Sequence, residues 1–246
     1  THSLTTALLT YKISSDRKAT LAGLFHDVGT PCFSHVIDYM NKDYANQEST
    51  EEYTERIILS DKYLQRCLLE DNINPDDIIN FKNYSIVDNS RPKLCTDRLD
   101  GIILNSIGWT KTISKQDIKD ILGSITIFIN EDNQKEIGFT NSKIANRVVN
   151  LSNIIDEYCH SNEDNYMMEL LAKITKLALN NEYITYEDLY CYTEEYLFKL
   201  LYSIDNKLLQ DYLLEFTTKK KADIPITKLP NLKSRVLRPM VNYKRM

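Results

Sequence analysis

Ala22-Gly23-Leu24-Phe25-His26-Asp27-Val28-Gly29-Thr30-Pro31-Cys32-Phe33-Ser34-His35 is the stretch from which the fold can be read. Its first part continues a helical period running from about Arg17 to Val28, and Gly29 followed by Pro31 stops it. His26 and Asp27 therefore sit at a helix end. Neighbours in mid-helix point about 100° apart. At a helix end, however, both side chains and the negative end of the helix dipole can face one cation. Upstream, a second helical period runs from about Ser3 to Lys12, with Leu4, Ala7, Leu8 and Tyr11 as its apolar positions. Ser14-Ser15-Asp16 supplies the turn and the N-cap between the two. Position 14 is midway between His2 and His26. An antiparallel helix pair folded there has arms of about 16 Å and brings the two imidazoles side by side.

The rest of the chain reads as more of the same. Only six glycines and six prolines interrupt it. Apolar residues recur at helical spacing in Tyr53–Ile57–Ile58 and Tyr63–Cys67–Leu68, and longer helices are predicted over roughly 141–160, 163–180 and 193–216. Asn74-Pro75-Asp76 and Ser90-Arg91-Pro92 read as helix starts. Ser124–Ile129 alternates and is β-branched, Glu131-Asp132-Asn133 is a turn, and Ile137–Phe139 is a return strand. The tail, with Pro225, Pro230 and Pro239, is expected to be extended. The fold class is thus all-α with one small β-hairpin insertion. The simplest organisation is a single domain over 1–246, with a core site in 1–110, a helical part in 140–216 and an extended basic tail in 217–246.

A shared ion needs more than two histidines. Asp97, in Cys95-Thr96-Asp97-Arg98-Leu99-Asp100, is the best further ligand; Asp100 lies three residues on and shares its face, while Arg98 turns aside. His2, His26, Asp27 and Asp97 make a mixed N/O set suited to one divalent metal ion: Mn, Fe, Ni, Co or Mg, with Zn also compatible. His35 is either a ligand-orienting or substrate-contacting residue or a structural histidine, and Asp38, one turn on, is placed to pair with it. His160 closes a helix and is assigned no chemistry. Tyr183, Tyr186, Tyr190, Tyr192 and Tyr196 are read as packing residues rather than a base-stacking surface.

An His-Asp dipeptide alone says little, but the full 22–35 string closely resembles the metal-binding signature of the HD phosphohydrolase superfamily. Within it the string is most similar to the deoxynucleoside triphosphohydrolase branch, whose motif continues through Pro-x-Phe-Ser-His. Thr1-His2-Ser3-Leu4 resembles that family's upstream ligand segment. Thr96-Asp97-Arg98-Leu99-Asp100 resembles its last ligand segment, in which a basic residue, here Arg98, touches phosphate. Lys233-Ser234-Arg235 to Pro239 resembles a basic stretch near the end of many members. The resemblance implies an HD-domain helical bundle that cleaves phosphoester or triphosphate bonds of a phosphorylated small molecule, a nucleotide above all. It also implies acid–base roles for Asp38 and His35. Two departures stand out: Thr30 and Gln47 occupy places where that branch usually carries histidines. Loss of a general acid costs about 10²–10⁴ in rate. Triphosphate cleavage by the usual route is therefore disfavoured, and a metal- and nucleotide-binding regulatory module becomes the alternative.

The bulk numbers fit this picture. An apolar share of 42% and a charged share of 26% are ordinary for a globular chain. No apolar run approaches the roughly 18–20 residues that span a bilayer, so no membrane contact and a cytoplasmic location are expected. The five cysteines are scattered without a C-x-x-C pair, which points to a reducing compartment and to small buried hydrophobes. Net charge is −5, yet Lys219–Met246 carries nine Lys and Arg against Asp223 alone, leaving residues 1–218 at −13. An acidic body argues against wrapping nucleic acid. A basic tail is expected to solvate or to dock on that body. Oligomeric state is left open, a homo-oligomer included. Thr1 is no initiator residue, so residues before it are expected in the native chain.

Overall fold

The turn between the first two helices forms where the small polar residues lie. Ser15 adopts the left-handed conformation (φ 53°) that ends α1 (His2–Ser14), and Asp16 accepts the backbone N–H groups of Lys18 and Ala19 to start α2 (Arg17–Phe25). The computed structural model describes residues 1–42, 44, 53–226, 229 and 232–246. They gather into two compact units, the first formed by Thr1–Val28, Thr54–Glu157 and Arg235–Met246, the second by Gly29–Tyr53 and Tyr158–Ser234. Helices dominate, and one small sheet accompanies them.

In the first unit, α1 meets α2 through small side chains: Thr6, Ala7 and Thr10 on one helix, Ala19, Ala22 and Gly23 on the other, all buried. This corrects the apolar face expected for α1. Leu4, Leu8 and Tyr11 are 52–59% exposed, while His2, Thr6 and Leu9 share the inward stripe. The reason is hydrogen bonding as well as size. Thr10 Oγ1 donates to the Thr6 carbonyl oxygen and its hydroxyl meets that of Thr96 at 2.7 Å, so a threonine face is satisfied in the interior. Helices α4 (Thr54–Ser60), α5 (Lys62–Glu70) and α6 (Asp76–Ile79) close over the other side of α2. There Ile58, Leu68, Ile73 and Ile78 form a core against Leu21, Phe25 and Val28.

Helix α7 (Thr96–Gly108) begins later than Ser90-Arg91-Pro92 suggests. Its first N–H groups, those of Thr96 and Asp97, donate to the carbonyls of Ile86 and Val87 at 2.8 and 3.2 Å. Arg98 reaches back to the carbonyl oxygens of Asn89 and Lys93, which holds 89–93 as a loop rather than a first turn. Asn74-Pro75-Asp76 does open a helix, α6.

After α8 (Lys115–Ser124), the expected hairpin forms: β1 (Ile125–Ile129) pairs antiparallel with β2 (Lys135–Phe139). Helix α9 (Ser142–Cys159) follows. The tail goes beyond extended: β3 (Met240–Val241) lies parallel to β2, and β4 (Lys244–Arg245) returns antiparallel to β3. Gly138 permits this, since a Cβ there would fall on the Met240 carbonyl oxygen. Arg245 then forks onto two carboxylates, 2.7 Å from Glu131 and 2.7 Å from the fully buried Glu136. Glu136 also accepts the Asn130 side-chain amide and the Leu94 backbone N–H, so its charge is fully engaged. Docking of the basic tail on acidic groups is thus realised at its last residues.

The second unit packs α3 (Ser34–Met40), α10 (Asn162–Asn180), α11 (Tyr186–Cys191), α12 (Glu194–Ser203) and α13 (Lys207–Thr218) around Val36, Ile37, Ile174, Leu189, Leu197 and Leu213. The single helix expected over 193–216 is two. Asn206 caps α13 by accepting the Leu209 N–H, and the Gln210 amide satisfies the Leu201 and Ile204 carbonyls left by the break. Tyr190 stacks on Tyr53 at 4.1 Å and Tyr192 lies 4.4 Å from Tyr196, as packing residues do. The cysteines are unbridged, and only Cys95 is buried, against the expectation for all five. No described helix is long and apolar enough to cross a membrane.

Candidate metal centre

Three elements of the first unit deliver the predicted ligands to one point: the start of α1, the end of α2 and the first turn of α7. His2 and His26 face each other with ring centroids 5.2 Å apart. His2 Nε2 is 2.9 Å from Asp97 Oδ1 and 3.6 Å from Asp27 Oδ2. His26 Nε2 is 3.3 Å from Asp27 Oδ2 and 3.4 Å from Asp97 Oδ1. The structure therefore brings His2, His26, Asp27 and Asp97 together. Among the described residues, His2, His26 and Asp97 place ligand atoms within 4.8 Å of one another.

The outer contacts orient both rings. His26 Nδ1 donates to the Gly23 carbonyl oxygen at 2.8 Å, which turns Nε2, with its lone pair, toward the carboxylates. His2 Nδ1 donates to Asp100 Oδ2 at 2.7 Å, and that same oxygen accepts the Thr5 hydroxyl at 2.9 Å. Asp100 is the face-sharing acid three residues after Asp97, and it fixes the orientation of the His2 ring.

Charge is strongly coupled here. Burial by itself would lower the His2 pKa, but hydrogen bonds to Asp100 and Asp97, with the charges of Asp97 and Asp27, outweigh it and raise the value to about 10. His26 is likewise raised: burial opposes, and Asp97 and Asp27 prevail. Burial pushes Asp97 upward, yet the two imidazoles hold it well below the usual carboxylate range.

One atom tests whether a cation fits. His26 is buried, and its Nε2 has no hydrogen-bond partner among the described residues. A buried imidazole nitrogen that faces two carboxylate oxygens and a second imidazole calls for a cation between them, a proton or a metal ion, and two nitrogens with two oxygens form a donor set for a divalent ion. Asp88, Cys95 and Asp97 form a second close trio. There burial pushes the Cys95 thiol up to about 12, so it stays protonated and is a poor ligand.

Residues 1–93 match the HD domain. HD domains bind divalent metals and are generally hydrolases, in keeping with the His/Asp cluster. The matched HD residues include His2, His26 and Asp27 and end just before Asp97, which the fold supplies from α7. The uncharacterized protein YdhJ of Bacillus subtilis (strain 168) is 26% identical over 100 residues, which span 40% of this chain and 30% of that protein.

The other predicted site residues are not members of this His/Asp cluster. His35 and Asp38 are on α3 in the second unit, where His35 Nδ1 donates to Asp38 Oδ2 at 3.0 Å. Asp38 is fully buried and the His35 side chain is 54% exposed. Arg98 donates to the Asn89 carbonyl oxygen at 2.7 Å and to that of Lys93. Thr30 is exposed, and Gln47 lies outside the described residues. Sequence reasoning did not single out Arg91 or Asp88; a loop arginine and a lone aspartate carry no spacing signal.

Proposed function

We propose that this chain is a metal-dependent phosphohydrolase acting on a nucleotide or another phosphoester, with one divalent ion (Mn, Fe, Ni, Co, Mg or Zn) held by His2, His26, Asp27 and Asp97. The observation that carries the reading is the buried His26 Nε2, 3.3 Å from the Asp27 carboxylate and 3.4 Å from that of Asp97, with His2 Nε2 facing the same two oxygens. Once bound, the ion would polarise a phosphoryl oxygen and activate a water. Asp100 keeps His2 in the tautomer whose Nε2 faces the ion. Arg98, next in sequence to Asp97, holds a substrate phosphate in this reading, since a guanidinium with two donors on backbone carbonyls has further N–H groups to offer. Asp38 and His35 handle protons: the buried carboxylate fixes Nδ1–H and leaves Nε2 to give or take one.

The finer assignment, to the deoxynucleoside triphosphohydrolase-like branch, rests on the Pro31-x-Phe33-Ser34-His35 continuation. The second reading is a nucleotide-binding regulatory module, favoured by Thr30, whose hydroxyl can hydrogen-bond a phosphate but cannot act as an acid near neutral pH. Nucleic acid is disfavoured as a partner, because Arg245 of the basic tail is committed to Glu131 and Glu136. Turnover of nucleoside mono-, di- and triphosphates with Mn²⁺, Mg²⁺, Ni²⁺ and Fe²⁺ decides between the readings. Metal-dependent release of phosphate or a polyphosphate is expected; tight nucleotide binding with no hydrolysis under any metal would select the regulatory module.

A further inference from the structure

Arg91 sits in the loop before α7, half-buried, and its Nη1 is buried with no hydrogen-bond partner among the described residues. Two other arginines crowd it. Arg98 bonds the carbonyl oxygens of Asn89 and Lys93, on either side of Arg91 in the loop. The N–H of Arg238 bonds the Pro92 carbonyl oxygen at 2.8 Å, which lays the tail segment containing Arg235 along the same loop. All three belong to the first unit. Burial first, then the positive charges of Arg98 and Arg235, pull the Arg91 pKa down to about 10, which still leaves it charged at neutral pH. Cys95 and Asp156 pull it the other way. Arg98 and Arg235 thus add like charge around Arg91.

A buried guanidinium N–H without an acceptor is unfavourable, and like charges beside it make it worse. An oxyanion removes both penalties at once. Guanidinium groups match the tetrahedral oxygens of a phosphoryl group in pairs of parallel hydrogen bonds, which neither a halide nor a carboxylate would use as fully. We propose that Arg91, with Arg98 and Arg235, binds a phosphoryl group: inorganic phosphate or the phosphate of a nucleotide. The site uses none of the four metal ligands. It deepens the phosphohydrolase reading by giving Arg98 two companions, and rests on that reading only for the kind of molecule that carries the phosphate.

The test uses the full chain stripped of metal with EDTA, titrated calorimetrically and in thermal unfolding with inorganic phosphate and, separately, a nucleoside triphosphate. Wild type should bind one phosphate per chain and unfold at a higher temperature in its presence. Arg91→Met should unfold no earlier than wild type in phosphate-free buffer, because it removes a buried N–H without an acceptor and a charge crowded by two like ones, and should bind phosphate at least tenfold more weakly. Arg235→Gln, on the tail, provides an independent reading with the same loss of phosphate affinity. Tighter binding of the triphosphate than of phosphate assigns the site to substrate; equal binding assigns it to free phosphate. A wild type that phosphate does not stabilise, or variants that retain its full effect, would overturn the proposal. Asp27→Ala, which removes a proposed metal ligand, should keep the phosphate response. A wild type that binds phosphate through Arg91 yet hydrolyses no nucleotide would sink the proposed function while supporting this site.

Discussion

Metal binding at this cluster should expel protons, and the amount follows from the structure. In the metal-free protein the His2 pKa is near 10, so at neutral pH its Nε2 carries the proton shared with Asp97. An ion bound at that nitrogen must displace it. One proton released means that affinity rises about tenfold per pH unit, or about 1.4 kcal/mol, as long as the pH stays below 10. From pH 6.5 to 8.5 the gain from His2 is about a hundredfold. Titration calorimetry with Mn²⁺ in two buffers of different ionisation enthalpy counts the protons directly, and repeating it at three pH values gives the slope. Asp100→Asn should weaken binding about 10–100-fold, and should bring the pH at which affinity levels off down from 10. Stability of the metal-free protein runs the other way. A raised histidine contributes fully below its unfolded pKa of 6.5, and that contribution fades as pH climbs through 10. An affinity that stays flat between pH 6.5 and 8.5, with no proton release, would refute this account of the cluster.

Asp27→Ala should lose its metal on elemental analysis while staying folded; a folded variant with full occupancy would defeat the ligand assignment. Gly138→Ala puts a Cβ onto the Met240 carbonyl oxygen, so the tail strand should lift, with about 1–3 kcal/mol lost in denaturant melts and faster proteolysis of residues 232–246. Thr30→His with Gln47→His should raise triphosphate hydrolysis if those positions limit proton transfer; unchanged or lower activity would point to a smaller phosphoester.

What could be read ahead of the structure was whatever is local. Ser15 and Asp16 specify the first turn by their own backbone and side-chain chemistry, so the pairing of residues 2 and 26 followed from counting. The hairpin at 125–139 was legible for the same reason. The inward face of α1 was not, because hydroxyls in contact with Thr96, some 86 positions away in sequence, decide it. The late start of α7 depends on Ile86 and Val87 accepting its first N–H groups, and the break at Ile204–Asn206 on a glutamine that serves two carbonyls. The grouping of residues 29–53 with 158–234 comes from side chains meeting across long separations, which no periodicity encodes.

The contact of Arg245 with Glu136 has a bearing on how the protein is made. Glu136 holds the N–H of Leu94, three residues ahead of Asp97, and Arg245 holds Glu136. All four proposed ligands, His2, His26, Asp27 and Asp97, leave the ribosome about 150 positions before that arginine does. A nascent chain can therefore gather its imidazoles and carboxylates early, but the loop before Asp97 waits for Arg245. Ribosome-bound chains released at increasing lengths should capture metal ions first, and hold them against a chelator only once residue 245 has emerged.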